Sequence, residues 1–587
     1  MSTPRSPRAR RLAVLTALCA ATALLAACGG GGGGGSSSTD DGATGGSAAP
    51  PVPPPSGAPG NTPTTTLDAT RLAHQASFGP TEALVADIRA RGTSNWLAAQ
   101  MTTASSRYTR GGNGDVHQWT GSGNYCDGRS TNCWRDSFSS QPLLWDFYRN
   151  AVGGADQLRQ RVAFALQKIV VVSNLEVEGT YGMRYYYNTL LDNAFGNYRQ
   201  VLKKVALSPL MGDYLNNANN DKAAPNENFA RELLQLFAIG TCELNANGTL
   251  KGGACAPTYG NETVRNYAYA LTGWTYPAGG STAWGCWPQN THCRYYAGDM
   301  VPVAQYHDTL ERALLSGVTV PAGSTADQAL EAVLDSLMQH PNMAPFIGRQ
   351  LIQQLVGSNP SAAYVSRVAA AFNAGRHQGF GSGQRGDLAA TVAAVLLDAE
   401  ARTEAPARSA GKLREPVLHF TGVLRALGGR TDGDALGWWW GETMRQHVFR
   451  PPSVFNYFPP DYPLPGVAGL KAPEFGIHNA NTSLERLNYL TYLLWWGGSA
   501  ASADVPGALG TRVDLQPYTS DAADAAKLVD RLSTLALGAR LPSAARAQVI
   551  AAVEAYTSQN DSQNWATNRV RQAAYLVFGS PNYQVQR

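Results

Sequence analysis

The sequence predicts a mainly α fold: a large multi-helix globular domain with long disulfide-stapled loops and few short strands. Three observations carry this reading. Apolar residues return at three- and four-residue spacing in segment after segment, the period of an amphipathic helix. Strand-like alternation is scarce and short. Six cysteines fall into sequence-local couples within Gly-, Asn- and Trp-containing stretches, as staples of surface loops would.

Taken from its start, the chain opens with Arg5, Arg8, Arg10 and Arg11 ahead of an apolar run over residues 12–25, a charged n-region followed by an h-region. The run is short for a membrane span, which needs about 20 apolar residues. It ends in Leu25-Ala26-Ala27-Cys28, which resembles the bacterial lipobox. There, small residues enter a narrow protease site, and the cysteine receives diacylglycerol and becomes residue one. Residues 1–27 are thus expected to be a lipoprotein signal peptide and Cys28 the lipidated residue, with an ordinary cleaved signal as the alternative. Gly29 in place of an aspartate points to the outer membrane. Residues 28–66 are rich in Gly, Ser and Pro and bury too little to offset their ordering entropy, so they should form a disordered tether. Without the four leader arginines the formal charge of +4 falls to zero. That balance argues against nucleic acid and against a broad electrostatic grip on acidic lipid. The expected address is the cell envelope, periplasmic or surface-facing, with the lipid anchor as the membrane contact.

Residues 67–587 are long enough for a large core or for two to three lobes. Over 157–172, Leu158, Val162, Phe164, Ala165, Leu166 and Ile169 fall largely on one side of a helix. Residues 226–239 repeat the pattern after Pro225, a residue suited to a first helical turn. Helices over 325–339 and 341–356 are separated at His340-Pro341, because proline disfavours helix in the residue before it. Further helical periodicity covers 364–372, 387–397, 413–427, 484–496, 522–537, 544–556 and 565–578. Between them, 109–132, 240–260 and 277–298 read as long loops. These loops carry Cys126 with Cys133, Cys242 with Cys255, and Cys286 with Cys293. Six cysteines allow about 15 connectivities, and short separation in an oxidising compartment favours the neighbouring couples. Zinc is the alternative, but no couple is a Cys-x-x-Cys knuckle and only His292 sits beside a cysteine.

Chemistry, if the chain performs any, centres on residues 224–234. Glu227 and Arg231 are four apart, as are Asn228 and Glu232, which makes a polar stripe opposite the leucines. Asn226 and the asparagines of 216–220 lie just upstream. The stripe reads either as a site or as a network that satisfies buried backbone groups. His307-Asp308 offers a titratable base or ligand beside an acid, or else pins a loop. Trp438, Trp439 and Trp440, with Phe455 and Tyr457 in a proline-rich stretch, supply either an aromatic platform or core. His74, His340, His419 and His478 default to packing. The chain has no Gly-x-Ser-x-Gly elbow, phosphate-binding loop, dinucleotide fingerprint or His-Glu-x-x-His helix, so the commonest hydrolase and nucleotide mechanisms lose support. The sequence leaves both cofactors and metal binding open.

The segments 71–80, 225–240, 270–274, 306–308, 340–351, 451–456 and 580–586 together resemble the large bacterial family known as domain of unknown function 1800. The Asn-Glu-Asn-x-x-Arg-Glu-Leu core at Asn226 to Leu233 is specific. The resemblance implies an exported, mainly helical protein, often encoded beside a second family, numbered 1501, that looks like a sulfatase or phosphatase relative. It implies no reaction and no catalytic residues. Two readings follow. In one, an envelope lipoprotein binds a polymer such as a polysaccharide, or a partner such as the 1501-type protein, through Asn226, Asn228 and the aromatic loops. In the other, an envelope hydrolase or metal-assisted enzyme uses Glu227, Glu232, His307 and Asp308, with Arg231 as electrostatic partner.

Overall fold

Helices begin where the sequence supplies side-chain acceptors for their free N–H groups. In the computed structural model, which describes residues 64–111, 125–279, 288–407 and 409–587, the Thr65 side chain accepts from the Asp68 amide at the head of helix Thr66–Ala76. Thr81 does the same for Glu82–Arg91 and Asp387 for Leu388–Leu397. Reciprocal capping boxes open Ala326–Gln339, through Thr325 and Gln328, and Ala480–Leu494, through Asn479 and Thr482. The described residues contain 24 α-helices and three two-stranded antiparallel sheets. The sheets pair Trp274–Thr275 with Val301–Pro302, Arg312–Ala313 with Thr319–Val320, and Lys412–Leu413 with Val585–Gln586.

Several expected boundaries shift, each for a local reason. The helix expected over 413–427 starts at Pro416, because Lys412 and Leu413 are occupied as a strand against Gln586 and Val585. The segment 157–172 is helical only to Gln167, after which its apolar residues run on as buried coil. Pro225 does not open a helix. The α-helix begins at Asn228 and passes at Leu233 into a π-helix, Leu233–Ala238. Thr66, the last residue of the expected tether, is already helical.

One hydrophobic cluster runs from Ala69 to Tyr583 and collects side chains from nearly every helix. A satellite of Tyr457, Phe458 and Ile477 lies apart from it. Two loops are stapled, Cys126 to Cys133 and Cys242 to Cys255, with Cα atoms 5.5 and 4.9 Å apart. Cys293 is also disulfide-bonded, while Cys286 lies outside the described residues, as do residues 1–63 with the expected leader and Cys28. Among the described residues no helix is long and apolar enough to cross a membrane.

Candidate functional site

The polar stripe of 226–232 divides by burial. Asn226 is exposed, Glu227, Asn228 and Arg231 are half-buried, and Glu232 is buried. Asn220 closes a ring with Asn226, its Oδ1 accepting from the Asn226 amide at 2.7 Å and its Nδ2 donating to the Asn226 carbonyl at 3.2 Å. Asn228 Nδ2 donates to Asn216 Oδ1 at 3.1 Å. Asn216 and Asn219 sit at φ 60° and 59°, a left-handed conformation that asparagine tolerates better than most residues. Glu227 pairs with Arg231 at 2.9 Å. Burial raises the Glu232 carboxyl, Arg231 offsetting part of the effect, and its Oε2 has no hydrogen-bond partner among the described residues.

His307 and Asp308 are both buried and do not act on one another. His307 Nδ1 lies 2.9 Å from the Thr272 carbonyl, while Asp308 accepts from Nε and Nη2 of Arg312, at 2.7 and 3.0 Å. The Asp308 amide donates to Thr272 Oγ1. Gly273 lets the two loops meet: at φ 84°, a Cβ there would stand 2.7 Å from His307 Cβ. Its amide donates to the Asn220 carbonyl at 2.8 Å. Thus the asparagine loop, the Leu-Thr-Gly-Trp turn and the His307 loop form one polar knot of mutually bonded groups. Among the described residues no three His, Cys, Asp or Glu side chains gather as they would around a metal ion.

The aromatic set divides instead into rim and core. Trp440 and Tyr457 are 2% and 7% exposed, and Tyr457 Oη donates to the His447 carbonyl at 2.6 Å, so neither meets a ligand from solvent. Trp438 and Trp439 are 44% and 49% exposed. They wall a cleft of about 370 Å³ together with Gln141, Asp432, Asp434 and Ser499. Each indole is held from behind. Trp438 Nε1 donates to Gln141 Oε1 at 3.1 Å and its ring carries the Arg450 guanidinium at 4.4 Å. Trp439 stacks on Trp440 at 5.0 Å. Asp434 Oδ1 accepts from Gln141 Nε2 and from Trp145 Nε1, which fixes the carboxylate in the wall. Asp432 is aimed by the amides of Leu509 and Gly510. Phe455, 50% exposed, lies on a separate loop.

Two charged groupings escaped the reading of the sequence. His447 Nδ1 lies 2.8 Å from Glu442 Oε1, behind Trp438. Burial pulls this imidazole below its ordinary value while Glu442 pulls it back up. The second grouping is deep in the core: Lys168 Nζ donates to both oxygens of Glu415, at 2.6 and 2.8 Å, and Lys412 pairs with Glu474 at 2.9 Å. Gln446 Nε2 also donates to Glu415, at 2.6 Å. All four charged side chains are at most 2% exposed. A visible trace was present for one lysine, Lys168, which stands directly before the apolar run Ile169 to Val172, whereas Lys412 sits among Arg414 and Glu415.

A family model described as "Protein of unknown function (DUF1800)" matches residues 71–585. No curated protein and no solved structure matches.

Proposed function

The chain belongs to the DUF1800 family, and from that premise we propose that it is a lipid-anchored envelope protein whose Trp438–Trp439 cleft binds a glycan. The two half-exposed indoles beside fixed carboxylates are the observation that carries this reading. The apolar face of a sugar ring stacks on an aromatic plane, and rigid rings give contact area at low entropic cost. Sugar hydroxyls are donors, and the half-buried Asp434, whose Oδ1 is held by Gln141 and Trp145, keeps acceptor capacity for them at its other oxygen, while the buried Asp432 shapes the wall behind it. Concave sites of mixed apolar wall and few oriented polar groups are where ligands of this size bind. The hydrolase alternative has less support, because the His307 Nδ1 position and both Asp308 oxygens are engaged by Thr272 and Arg312.

Isothermal titration of the mature protein with oligosaccharides released from bacterial envelopes tests the reading. Wild type should bind, and Trp438→Ala and Trp439→Ala should each weaken binding about tenfold, the loss of roughly 1.4 kcal/mol of stacking. Equal affinity of wild type and both variants would remove the cleft from consideration.

A further inference from the structure

A second cavity, smaller and more enclosed, lies beneath Phe455. About 50 Å³ of space is bounded by Lys168, Phe346, Gln350, Gln354, Phe455 and Asn456. Its polar groups are in an unusual state of account. Lys168 is committed to Glu415, and the neighbouring Gln353 Nε2 donates to the carbonyls of Ser358 and Pro460. Gln350 Nε2, a donor, and Gln354 Oε1, an acceptor, are buried with no partner among the described residues. Asn456 is 7% exposed and sits at φ 68°, its amide donating to the Ser453 carbonyl at 3.0 Å, while no hydrogen bond of its carboxamide is seen among the described residues. A buried polar group left unpaired is costly, so the two glutamine groups describe the ligand that would satisfy them.

The complement must carry both a donor and an acceptor. It should be neutral, because the charged side chains on the wall, Lys168 and Glu474, are one of each sign. An amide meets both conditions. Phe346, Phe458 and Leu236 supply an apolar lining suited to a methyl group. The volume admits a small terminal group rather than a chain passing through, and Phe455, half exposed, offers a face on which a ring can rest.

We propose that this cavity receives the acetamido group of an N-acetylated amino sugar whose ring stacks on Phe455. The sugar carbonyl would accept from Gln350 Nε2 and the sugar N–H would donate to Gln354 Oε1, with Asn456 closing the amide from the remaining side. The proposal takes its ligand class from the glycan reading above but names a different set of residues, so the two can fail separately.

The test compares chitotetraose with its fully deacetylated counterpart, by titration and by saturation-transfer NMR on the mature protein. Wild type should prefer the acetylated oligomer at least tenfold, with its methyl protons taking the strongest saturation. Asn456→Gly, which keeps the left-handed backbone, should lose about tenfold of that preference, the loss of one buried hydrogen bond. Gln350→Leu provides the same readout should the glycine variant fail to fold. Trp438→Ala should weaken both oligomers alike. Equal binding of the two oligomers by wild type overturns the acetamido assignment and leaves the glycan reading standing. The same holds if the asparagine and glutamine variants keep full preference, as a cavity holding only water would give. An N-acetylated dipeptide amide that competes as well as chitotetraose also overturns it, and failure to bind any glycan overturns both readings.

Discussion

Lys168 and Glu415 show what a charge costs once helices close over it. Removing one partner of a buried pair leaves the other desolvated and unpaired, at about 3–5 kcal/mol, whereas removing both at once is often close to neutral. Lys168→Met should therefore lower stability in urea by an amount in that range, and Lys168→Met combined with Glu415→Gln should restore most of it; additive losses would show that the two residues do not act as a pair. A dependence on pH follows as well. Burial alone would raise the Glu415 carboxyl, but Lys168, Lys412 and Arg161 outweigh it and hold the group at about 2. The folded protein thus keeps Glu415 ionised where the unfolded chain, with an ordinary value of about 4.3, takes up a proton. Stability from this group is fully present above that ordinary value and drains away as pH falls toward 2. Urea midpoints across this window should fall more steeply for wild type than for the double variant, and parallel curves would contradict the assignment. Lysine in an apolar run was legible in the sequence, but its partner lies 247 residues away, a separation that no periodicity encodes.

At the level of elements, the pattern of apolar residues revealed helices such as Ala326–Gln339 and Trp565–Gly579 nearly to their ends. It missed Thr180–Asp192, where tyrosines supply the buried face: Tyr186 and Tyr187 are in the core while their hydroxyls donate to the carbonyls of Val170 and Val172. A residue that is both ring and hydroxyl blurs a division into apolar and polar. The π turn at Leu233–Ala238 was equally hidden, because Leu-Leu-Gln-Leu-Phe reads as the same amphipathic stripe in α or π winding. The stapled loops permit a direct prediction. Closing a 13-residue separation restricts the unfolded chain by about 3 kcal/mol. Cys242→Ser with Cys255→Ser should lower stability by roughly that amount and speed amide exchange over 242–258, where the bridges of Cys242 with Pro257 and Leu244 with Leu250 are held. Unchanged exchange there would show that the loop holds its shape without the bond.

For the whole molecule, the long core from Ala69 to Tyr583 brings the two ends of the described chain together. Arg71 Nε donates to the Arg587 carbonyl, and the Gln586 side-chain Nε2 donates to the carbonyls of Leu355 and Val356. The candidate cleft is assembled in the same long-range way, from Gln141, from Asp432 to Trp439 and from Ser499. Only its tryptophans stood out in sequence, because nothing local marks a glutamine that will support an indole 297 residues further on. The address also belongs to this scale. With no membrane-crossing helix among the described residues, the proposed anchoring rests on acylated Cys28, since paired acyl chains hold a protein at a bilayer where a single one does so only marginally. Cys28→Ala should move the protein from the detergent phase to the aqueous phase in a temperature-induced phase separation; retention in detergent would place its membrane attachment elsewhere.

The shortness of the two observed disulfide loops has one more outcome. Each thiol has its mate 7 or 13 residues away along the chain, so the correct link is close at hand whether the helices have collapsed or not. Oxidation and collapse can then proceed in either order, since forming the link does not wait on distant parts of the chain being brought together.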